Sequence, residues 1–472
     1  MSQTGSVALA YRYATPSALL RDELSLATSG GITEAGPQAH PYFFTGFLAE
    51  PGPAAQALLA TAAIARAQYH VAASTIQMLR DPVVTSNADR LRFESFSACC
   101  GVHARLDLPP QALEAAPVTS GTTNVDFNPP MRSALAGAVA TAGQILLKVG
   151  DEEVTAVTEQ ATVTERRVEL PARWVKGFGE VSALHARMRL VAELTGPDAQ
   201  RFISRLPHRA RSPLWAVPSG RSLSLAASPR PGAACLAGPE RLGELRPLLR
   251  FTKKLRIYAA PGAGGAHSGG APLPAASAWE LTLGGTAARL TLTLSPEKYR
   301  GFSGEGALLG ALAAPETAAE DADLISLLLG WGPVIDLASL TASANLSAER
   351  TAAALAILAS SGKVGYDLTD AAYFHRELPL GADVERVHPR LADARALVAS
   401  GKVTLTEGGA MSGDHRVRFG PGQGKATGDT CTCPWWGRHQ GTRGPCKHVL
   451  AARIALGGST APSGRTAAGR AR

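Results

Sequence analysis

Three of the six cysteines in this 472-residue chain lie close together near its C-terminus. One residue separates Cys431 from Cys433, and after twelve intervening residues Cys446 and His448 repeat that spacing. On a strand, residues two apart point to the same face, so the first pair can reach one point. Three thiolates and one imidazole form a tetrahedral ligand set for Zn²⁺. We therefore predict one zinc ion bound by Cys431, Cys433, Cys446 and His448.

The flanking residues predict the fold around this site. The segments HRVRF (415–419) and GDTCTC (428–433) are predicted to form a hairpin across a glycine-rich turn. A helix is predicted to begin near Pro445, because proline is favoured in the first helical turn. The module is then ββα. All four ligands come from the protein and leave no position for water or substrate, so we predict a structural rather than a catalytic zinc.

The spacing Cys-x-Cys-x12-Cys-x-His resembles the SWIM zinc finger, whose pattern is C-x-C, a variable gap and C-x-H. The sequence fits this pattern without departure, and the resemblance implies a module that binds DNA or other proteins. Other segments, among them FESFSACCGVHARLDL, GTTNVDFNPP, YRGFSGEGALL and YFHRELP, resemble a long, functionally uncharacterised bacterial SWIM-finger family. Genes of that family lie near those for MoxR-type AAA ATPases and von Willebrand factor A-domain proteins. The resemblance thus implies a protein partner in such a system.

Composition excludes several classes of protein. At 45% hydrophobic and 18% charged residues, the chain can bury a core and is not disordered by composition. It contains no uncharged apolar run of about 18 residues, which a transmembrane helix requires. Its N-terminus, MSQTGSVALAYRY, lacks the features of a secretion signal, and six cysteines are too few for a disulfide scaffold. We expect a cytoplasmic protein with no membrane span.

The net charge of +8 is unevenly distributed. Twelve Lys or Arg and two acidic residues lie between Arg201 and Arg256, and seven bases and two acids lie between Asp414 and Arg453. A basic patch can attract nucleic-acid phosphates or an acidic protein partner. Alternatively, these arginines form a solvated surface and pair with carboxylates elsewhere. The sequence leaves both interpretations open.

The order of strand-like and helix-like segments predicts an α+β, multi-domain protein: a mixed N-terminal body, a winged-helix-like segment and a C-terminal ββα finger. A length of 472 residues suggests two to four domains at about 100–200 residues each. The predicted units are an α+β domain at 1–170, a second α+β domain at 171–315 with a low-complexity loop at 261–277, the winged-helix-like segment at 316–400, the finger at 401–457 and a disordered basic tail at 458–472.

The winged-helix-like segment is predicted to hold three helices and a hairpin. Ser347 can cap the third helix, and Gly362 follows its end. In winged helices the third helix often reads DNA, but here Arg350 stands beside Glu349, which is a poor combination for reading bases. We therefore favour a structural or protein-contact role. The predicted helices cover residues 321–329, 337–342 and 347–360.

Other candidates have ordinary structural interpretations beside functional ones. Cys99 and Cys100 are predicted to lie on a strand at 91–108 and to pack in the core, with a redox role as the alternative. His375 is predicted to be structural rather than the hub of a polar network. The segment GFSGEG (301–306) lacks the ending of a phosphate loop and is predicted to be a plain turn.

The residues around the predicted finger leave two interpretations open. Trp435 and Trp436 can stack on bases or pack in a partner, or they can cover the zinc site. The basic residues can meet phosphate or be ordinary exposed loop charges. They are Arg438, His439, Arg443 and Lys447.

The sequence contains no G-x-S-x-G, no H-E-x-x-H and no convincing nucleophile–base arrangement. We therefore predict a non-enzymatic protein with no catalytic residues. Its finger would dock a protein partner while the α+β body serves as a scaffold. The alternative is a nucleic-acid-binding protein that uses the basic finger, the Arg201–Arg256 patch and the winged-helix-like segment.

Overall fold

The protein is described from a computed structural model. Residues 261–273 of the predicted low-complexity loop and 460–472 of the predicted tail lie outside the described residues. The described residues are 18–20, 23–25, 31–33, 36–38, 42–69, 82–87, 90–114, 119–260, 274–304, 306, 308–312, 317–378, 388–420, 428–441 and 443–459.

The first part of the chain is mostly strands, with one helix rich in alanine. Pro51 opens that helix, and its small side chains let it lie close to the neighbouring strands. The elements are β1 (Ala18–Leu20), β2 (Glu23–Ser25), β3 (Gly31–Thr33), β4 (Gly36–Gln38), β5 (Tyr42–Leu48), α1 (Pro51–Arg66), β6 (Val83–Asn87), β7 (Arg90–Phe96), β8 (Val102–Leu108), β9 (Leu113–Glu114), β10 (Gly121–Asn124), α2 (Pro129–Thr141), β11 (Leu146–Gly150), β12 (Glu153–Val157) and β13 (Thr162–Arg166).

The next part combines helices with longer strands. Its 3₁₀ helices include Pro239–Phe251 and Phe302–Gly304. The elements are α3 (Ala172–His185), β14 (Arg189–Thr195), α4 (Gly196–Ser204), β15 (Leu214–Ser219), β16 (Ser222–Ala226), β17 (Ala234–Leu236), β18 (Thr252–Ala259), β19 (Ser277–Leu283), β20 (Ala288–Leu294) and α5 (Leu309–Leu312).

The last part holds three helices with a hairpin and then the finger. The elements are α6 (Thr317–Leu328), α7 (Leu337–Ala344), α8 (Ala348–Ser360), β21 (Val364–Asp367), β22 (Ala372–His375), α9 (Pro389–Ala399), β23 (Val403–Thr406), β24 (Gly409–Ser412), β25 (His415–Arg418), β26 (Thr430–Cys431), α10 (Pro434–His439) and α11 (Lys447–Ser459). Within the described residues, no helix is both long and apolar enough to cross a membrane.

An eight-stranded antiparallel sheet forms the centre of the body, in the order β10-β6-β7-β8-β20-β19-β18-β14. A five-stranded sheet, β13-β12-β11-β5-β9, lies beside it and shares the same apolar core with α1, α2 and α4. The α+β class is confirmed. Strands from both sides of the predicted boundary at residue 170 hydrogen-bond within the central sheet, so that sheet does not divide there.

The single strand predicted over residues 91–108 is wrong, because a tight turn splits it into β7 and β8. The Ser97 hydroxyl accepts hydrogen bonds from the backbone N–H groups of Gly101 and Val102 at 3.1 and 3.0 Å. Cys100 adopts a positive φ of 53° in this turn. Cys100 is buried in the core as predicted, whereas Cys99 is only partly buried.

The three predicted helices and the hairpin of the winged-helix-like segment are confirmed as α6, α7, α8 and β21–β22. The Ser347 hydroxyl accepts from the N–H of Arg350 at 3.3 Å, and Gly362 has a φ of +78° after α8. The C-terminal half of α8 is buried, and Gly179 of α3 lies against its last turn. Arg350 donates to Asp321 at 2.5 and 2.8 Å. These contacts favour the structural role predicted for α8.

The β21–β22 hairpin is anchored to the central sheet by buried charges. Asp367, 1% exposed, ends β21 among arginines of three sheet strands. One of its carboxylate oxygens lies 2.9 Å from Arg289 and 3.2 Å from Arg105. Arg92 lies 3.7 Å from the same oxygen and also pairs with Asp107 at 2.9 Å. The hairpin thus supplies an acid that the sheet's arginines require.

A buried histidine at the end of α3 predicts acid sensitivity. The Nε2 atom of His185 lies 2.8 Å from the Thr293 hydroxyl, and burial, with a further contribution from Arg105, lowers the pKa of His185 to about 3. The unfolded chain binds this proton below about pH 6.5, and the folded chain does not, so stability falls as the pH drops from there towards 3. Between pH 7 and pH 5 we expect the free energy of unfolding to fall by about 2 kcal/mol more in the wild type than in His185→Gln, because glutamine binds no proton. Urea unfolding at both pH values measures this, and equal losses in both proteins would contradict it.

Candidate metal centre

Two structural knuckles bring the predicted ligands together. In the first, β26 pairs with β25 and carries Cys431, while Cys433 caps the N-terminus of the short helix α10. In the second, Cys446 immediately precedes α11 and His448 lies in its first turn. The predicted strand pair and helix are therefore present, and the predicted glycine-rich turn, at 421–427, lies outside the described residues. The structure adds α10 between the two knuckles and extends the sheet with β23 and β24.

The four ligand atoms lie within 4.8 Å of one another. This is the scale of a site for one ion with metal–ligand bonds of about 2.0–2.3 Å. Cys431, Cys433 and Cys446 are buried, and His448 is half-buried. Among the residues that the structure describes, no other cluster of histidines, cysteines and carboxylates has this geometry.

The electrostatics of the thiols fit a divalent cation. Hydrogen bonding with Cys431, together with burial, raises the pKa of Cys446 to about 12, whereas the same contact lowers the pKa of Cys431. Burial also raises the pKa of Cys433. Three thiols this close cannot all ionise by themselves, because the charges repel one another. A bound Zn²⁺ would supply the compensating charge and make all three thiolates stable.

Further contacts affect the charge state and the environment of individual ligands. The backbone N–H of Trp436 donates to the Cys433 sulfur at 3.3 Å, which favours its thiolate form. The Nδ1 atom of His448 is buried and makes no hydrogen bond, an arrangement that is costly unless a metal or another partner satisfies the ring. The ring of His415 packs against that of His448 with centroids 4.4 Å apart. The residues present therefore fit a Cys3His zinc site.

A buried ion pair that the sequence analysis missed holds the finger together. Asp429 is fully buried, and Arg453 of α11 donates to both of its carboxylate oxygens at 2.5 and 2.8 Å. The Asp429 carboxylate also accepts from the N–H of Gly420 at 2.8 Å. The pair ties the residue that precedes β26, the strand that carries Cys431, to α11, the helix that carries His448. Their distance in sequence gave no local signal of this contact.

We expect Asp429→Asn to weaken zinc binding about 10- to 100-fold, the range seen when groups that orient metal ligands are changed. The physical reason is that Arg453 would remain buried without its partner charge. Competition with a chromogenic zinc chelator measures the affinity. Asp414→Asn is the matched control, because Asp414 is exposed in the turn between β24 and β25. Equal affinities in the two variants would contradict this role.

The finger is packed against the rest of the chain. Arg390 of α9 donates to the carbonyl groups of Arg443 and Pro445 at 2.8 and 3.2 Å. Gly444 has a φ of +72°, and a side chain there would collide with the carbonyl oxygen of Gly306, at 2.2 Å from its Cβ. Leu450 and Ala451 of α11 are buried in a cluster with residues of α5, α8 and α9. The second knuckle is therefore fixed to the body.

The two tryptophans of the finger are partly buried against the cysteine cluster, which supports the interpretation that they cover the site. The guanidinium of Arg390 lies 4.9 Å from the centre of the Trp435 ring. Of the basic residues predicted to surround the site, Lys447 pairs with Asp393 at 3.3 Å and Arg438 is exposed. His439 packs edge-on against Trp435, and the backbone carbonyl of Arg443 accepts a hydrogen bond from Arg390.

The remaining candidates occupy structural positions. His375 stacks on Trp331 with ring centroids 4.3 Å apart, and its carbonyl accepts from Asn87 at 2.7 Å. Residues 302–304 form a 3₁₀ turn, as expected for GFSGEG. The Arg201–Arg256 stretch does not form one basic surface. Arg241 is buried there, and Lys254 and Arg256 both pair with Glu193.

Two solved structures show a weak likeness to this chain. Proliferating cellular nuclear antigen from Entamoeba histolytica is 10% identical with a TM-score of 0.33, covering 54% of this chain and 99% of that one. A structure described as the C-terminal region of FEN-1 bound to A. fulgidus PCNA is 8% identical with a TM-score of 0.34, covering 53% of this chain and 97% of that one. These scores are too low to support an argument about the body. No curated protein matches the chain.

The finger, by contrast, matches a known family. The model of the SWIM zinc finger matches residues 415–457, which contain all four predicted ligands and both knuckles. This chain therefore contains a SWIM zinc finger at residues 415–457, and Cys431, Cys433, Cys446 and His448 form its Cys3His cluster, which is compatible with one zinc ion.

Proposed function

We propose that this chain is a non-enzymatic interaction protein in which a structural zinc stabilises a finger that docks a protein partner. The observation that carries the proposal is the closed Cys3His cluster, whose four protein ligands leave no position for a substrate. The finger is also fixed to the body by Arg390, and its helix α11 is packed against α9. A rigid body that presents a zinc-stabilised module suits a scaffold.

The winged-helix-like segment supports a protein contact over base reading. Half of α8 is covered by its neighbours, Arg350 is tied to Asp321, and the hairpin is held on the sheet by Asp367. An element that reads DNA must reach base edges with exposed side chains. The family resemblance makes a MoxR-type AAA ATPase or a von Willebrand A-domain protein the first partners to test.

Partner capture from a nuclease-treated lysate tests this proposal. We expect the wild-type chain to retain specific proteins that Cys446→Ser loses, because the variant cannot hold the finger in shape. Cys99→Ser is the matched control, since Cys99 is not a metal ligand. Identical partner sets for wild type and Cys446→Ser would contradict the proposal.

Nucleic-acid binding is the second candidate, and one observation favours it. Five arginines between residues 205 and 230 are exposed: Arg205, Arg209, Arg211, Arg221 and Arg230. If they bind duplex DNA, a plot of log affinity against log salt concentration should have a slope of about −0.9 per phosphate neutralised. The absence of binding at low salt would eliminate this candidate.

A further inference from the structure

Exposed leucines are concentrated on one part of the helical segment. Among the described residues, ten large apolar side chains are exposed, and five of them lie between residues 324 and 337, on α6, at the start of α7 and in the loop between them. Leu327 is the extreme case, with 85% of its surface exposed. Single exposed leucines are ordinary, but a concentration of this kind marks an interaction surface. The five residues are Leu324, Leu327, Leu328, Val334 and Leu337.

These side chains face away from the core of their own segment. On α6, Ile325 and Ala322 point inward to a cluster with α7 and α8, whereas Leu324 and Leu327 lie on the outer face, together with Leu328. On α7, Leu340 points inward, and the outer face forms a shallow groove of about 620 Å³. The groove is lined mainly by apolar atoms of Leu337, Ala338, Ala342 and Leu346.

The charge around this surface is opposite to that of the whole chain. Residues 317–350 contain five acidic residues and one arginine, giving −4 within a chain of +8, and the nearby Lys363 donates to the Ser326 hydroxyl of α6 at 3.0 Å. Asp321 binds Arg350 and Asp336 caps α7, so those two carboxylates are engaged within the segment. The remaining carboxylates are exposed on α6 and in the first turn of α8. They belong to Glu320, Asp323 and Glu349.

We propose that the outer face of α6 and α7 is a docking surface for a partner protein's basic amphipathic helix. The leucines and the groove would receive the apolar face of that helix, as helix-in-groove recognition requires. The exposed carboxylates would meet lysines or arginines at its margins, which sets orientation and selects against acidic partners. This surface is separate from the finger, and the proposal does not depend on zinc.

Two synthetic peptides of about 18 residues, long enough for five helical turns, test the proposal against the full-length chain. Both carry leucines at helical spacing, and the remaining positions are lysine in one peptide and glutamate in the other. Fluorescence anisotropy should show binding of the lysine peptide, weakened about tenfold by Leu327→Ser, the loss typical of an interface anchor. Leu190→Ser is the control, because Leu190 is 51% exposed on β14.

Both substituted leucines are exposed, so neither variant should unfold the chain. Equal binding of the two peptides, or equal losses in the two variants, would overturn the proposal. Self-association of the wild type that Leu327→Ser abolishes would also overturn it, because a second copy would then be the occupant. Cys446→Ser should bind the lysine peptide normally, which separates this result from that of the proposed finger function.

Discussion

Replacing Cys446 by serine is expected to release the zinc and to unfold residues 415–456 locally, while the body stays folded. The cluster draws ligands from β26, the cap of α10 and the start of α11, so one lost thiolate removes the link between both knuckles. Zinc contributes about 10–16 kcal/mol to folding in isolated finger peptides. Without the ion, β26 is only two residues long and keeps just its pairing with β25 and the Asp429–Arg453 ion pair, which do not replace a metal link of this size.

Hydrogen exchange measures this effect segment by segment. We expect backbone amides of β25, β26 and α11 to lose protection in Cys446→Ser, and those of β7, β8 and β19 to keep it. His448→Ala should behave in the same way, since it removes the fourth ligand. Cys99→Ser should keep both its zinc and its protection pattern. One zinc per chain in Cys446→Ser would contradict the assignment of the ligands.

Replacing Asp367 by asparagine is expected to destabilise the folded chain by about 3–5 kcal/mol, the cost of breaking a buried ion pair. The substitution keeps the size of the side chain but leaves Arg105 and Arg289 without the carboxylate that they share. Although burial raises it, these arginines lower the pKa of Asp367 well below its usual range. Its contribution is therefore complete above about pH 4 and is lost as the pH falls towards the folded pKa.

Urea unfolding at pH 7 measures this loss of stability. The matched control is Asp323→Asn, because Asp323 is an exposed carboxylate on α6. We expect the control to change the free energy of unfolding by less than about 0.5 kcal/mol, as for most surface substitutions. Equal midpoints for Asp367→Asn and the control would mean that the hairpin is not anchored by this charge.

Local patterns in the sequence predicted those features that depend on residues close together in the chain. The C-x-C and C-x-H pairs predicted the ligands, because each pair defines its own knuckle. Ser347 and Gly362 predicted the two ends of α8, since caps depend on neighbouring backbone groups.

Features that depend on distant residues could not be predicted in this way. Asp367 contacts arginines on β7, β8 and β20 that are between 78 and 275 residues away in the chain, and no local sequence pattern indicates such contacts. The same holds for the contact between Arg390 and Arg443. The turn at Ser97 was missed because it contains neither glycine nor proline until Gly101. The alternation of apolar and polar residues therefore predicted one continuous strand.

The central claim is that three sulfurs and one imidazole nitrogen close around a single structural zinc. X-ray absorption at the zinc edge, on the purified full-length chain, tests it most directly. We predict one zinc per chain with three sulfur ligands at about 2.3 Å and one nitrogen at about 2.0 Å. A chain that binds no zinc, or a zinc that keeps an oxygen ligand from water in place of one of the four side chains, would contradict the claim.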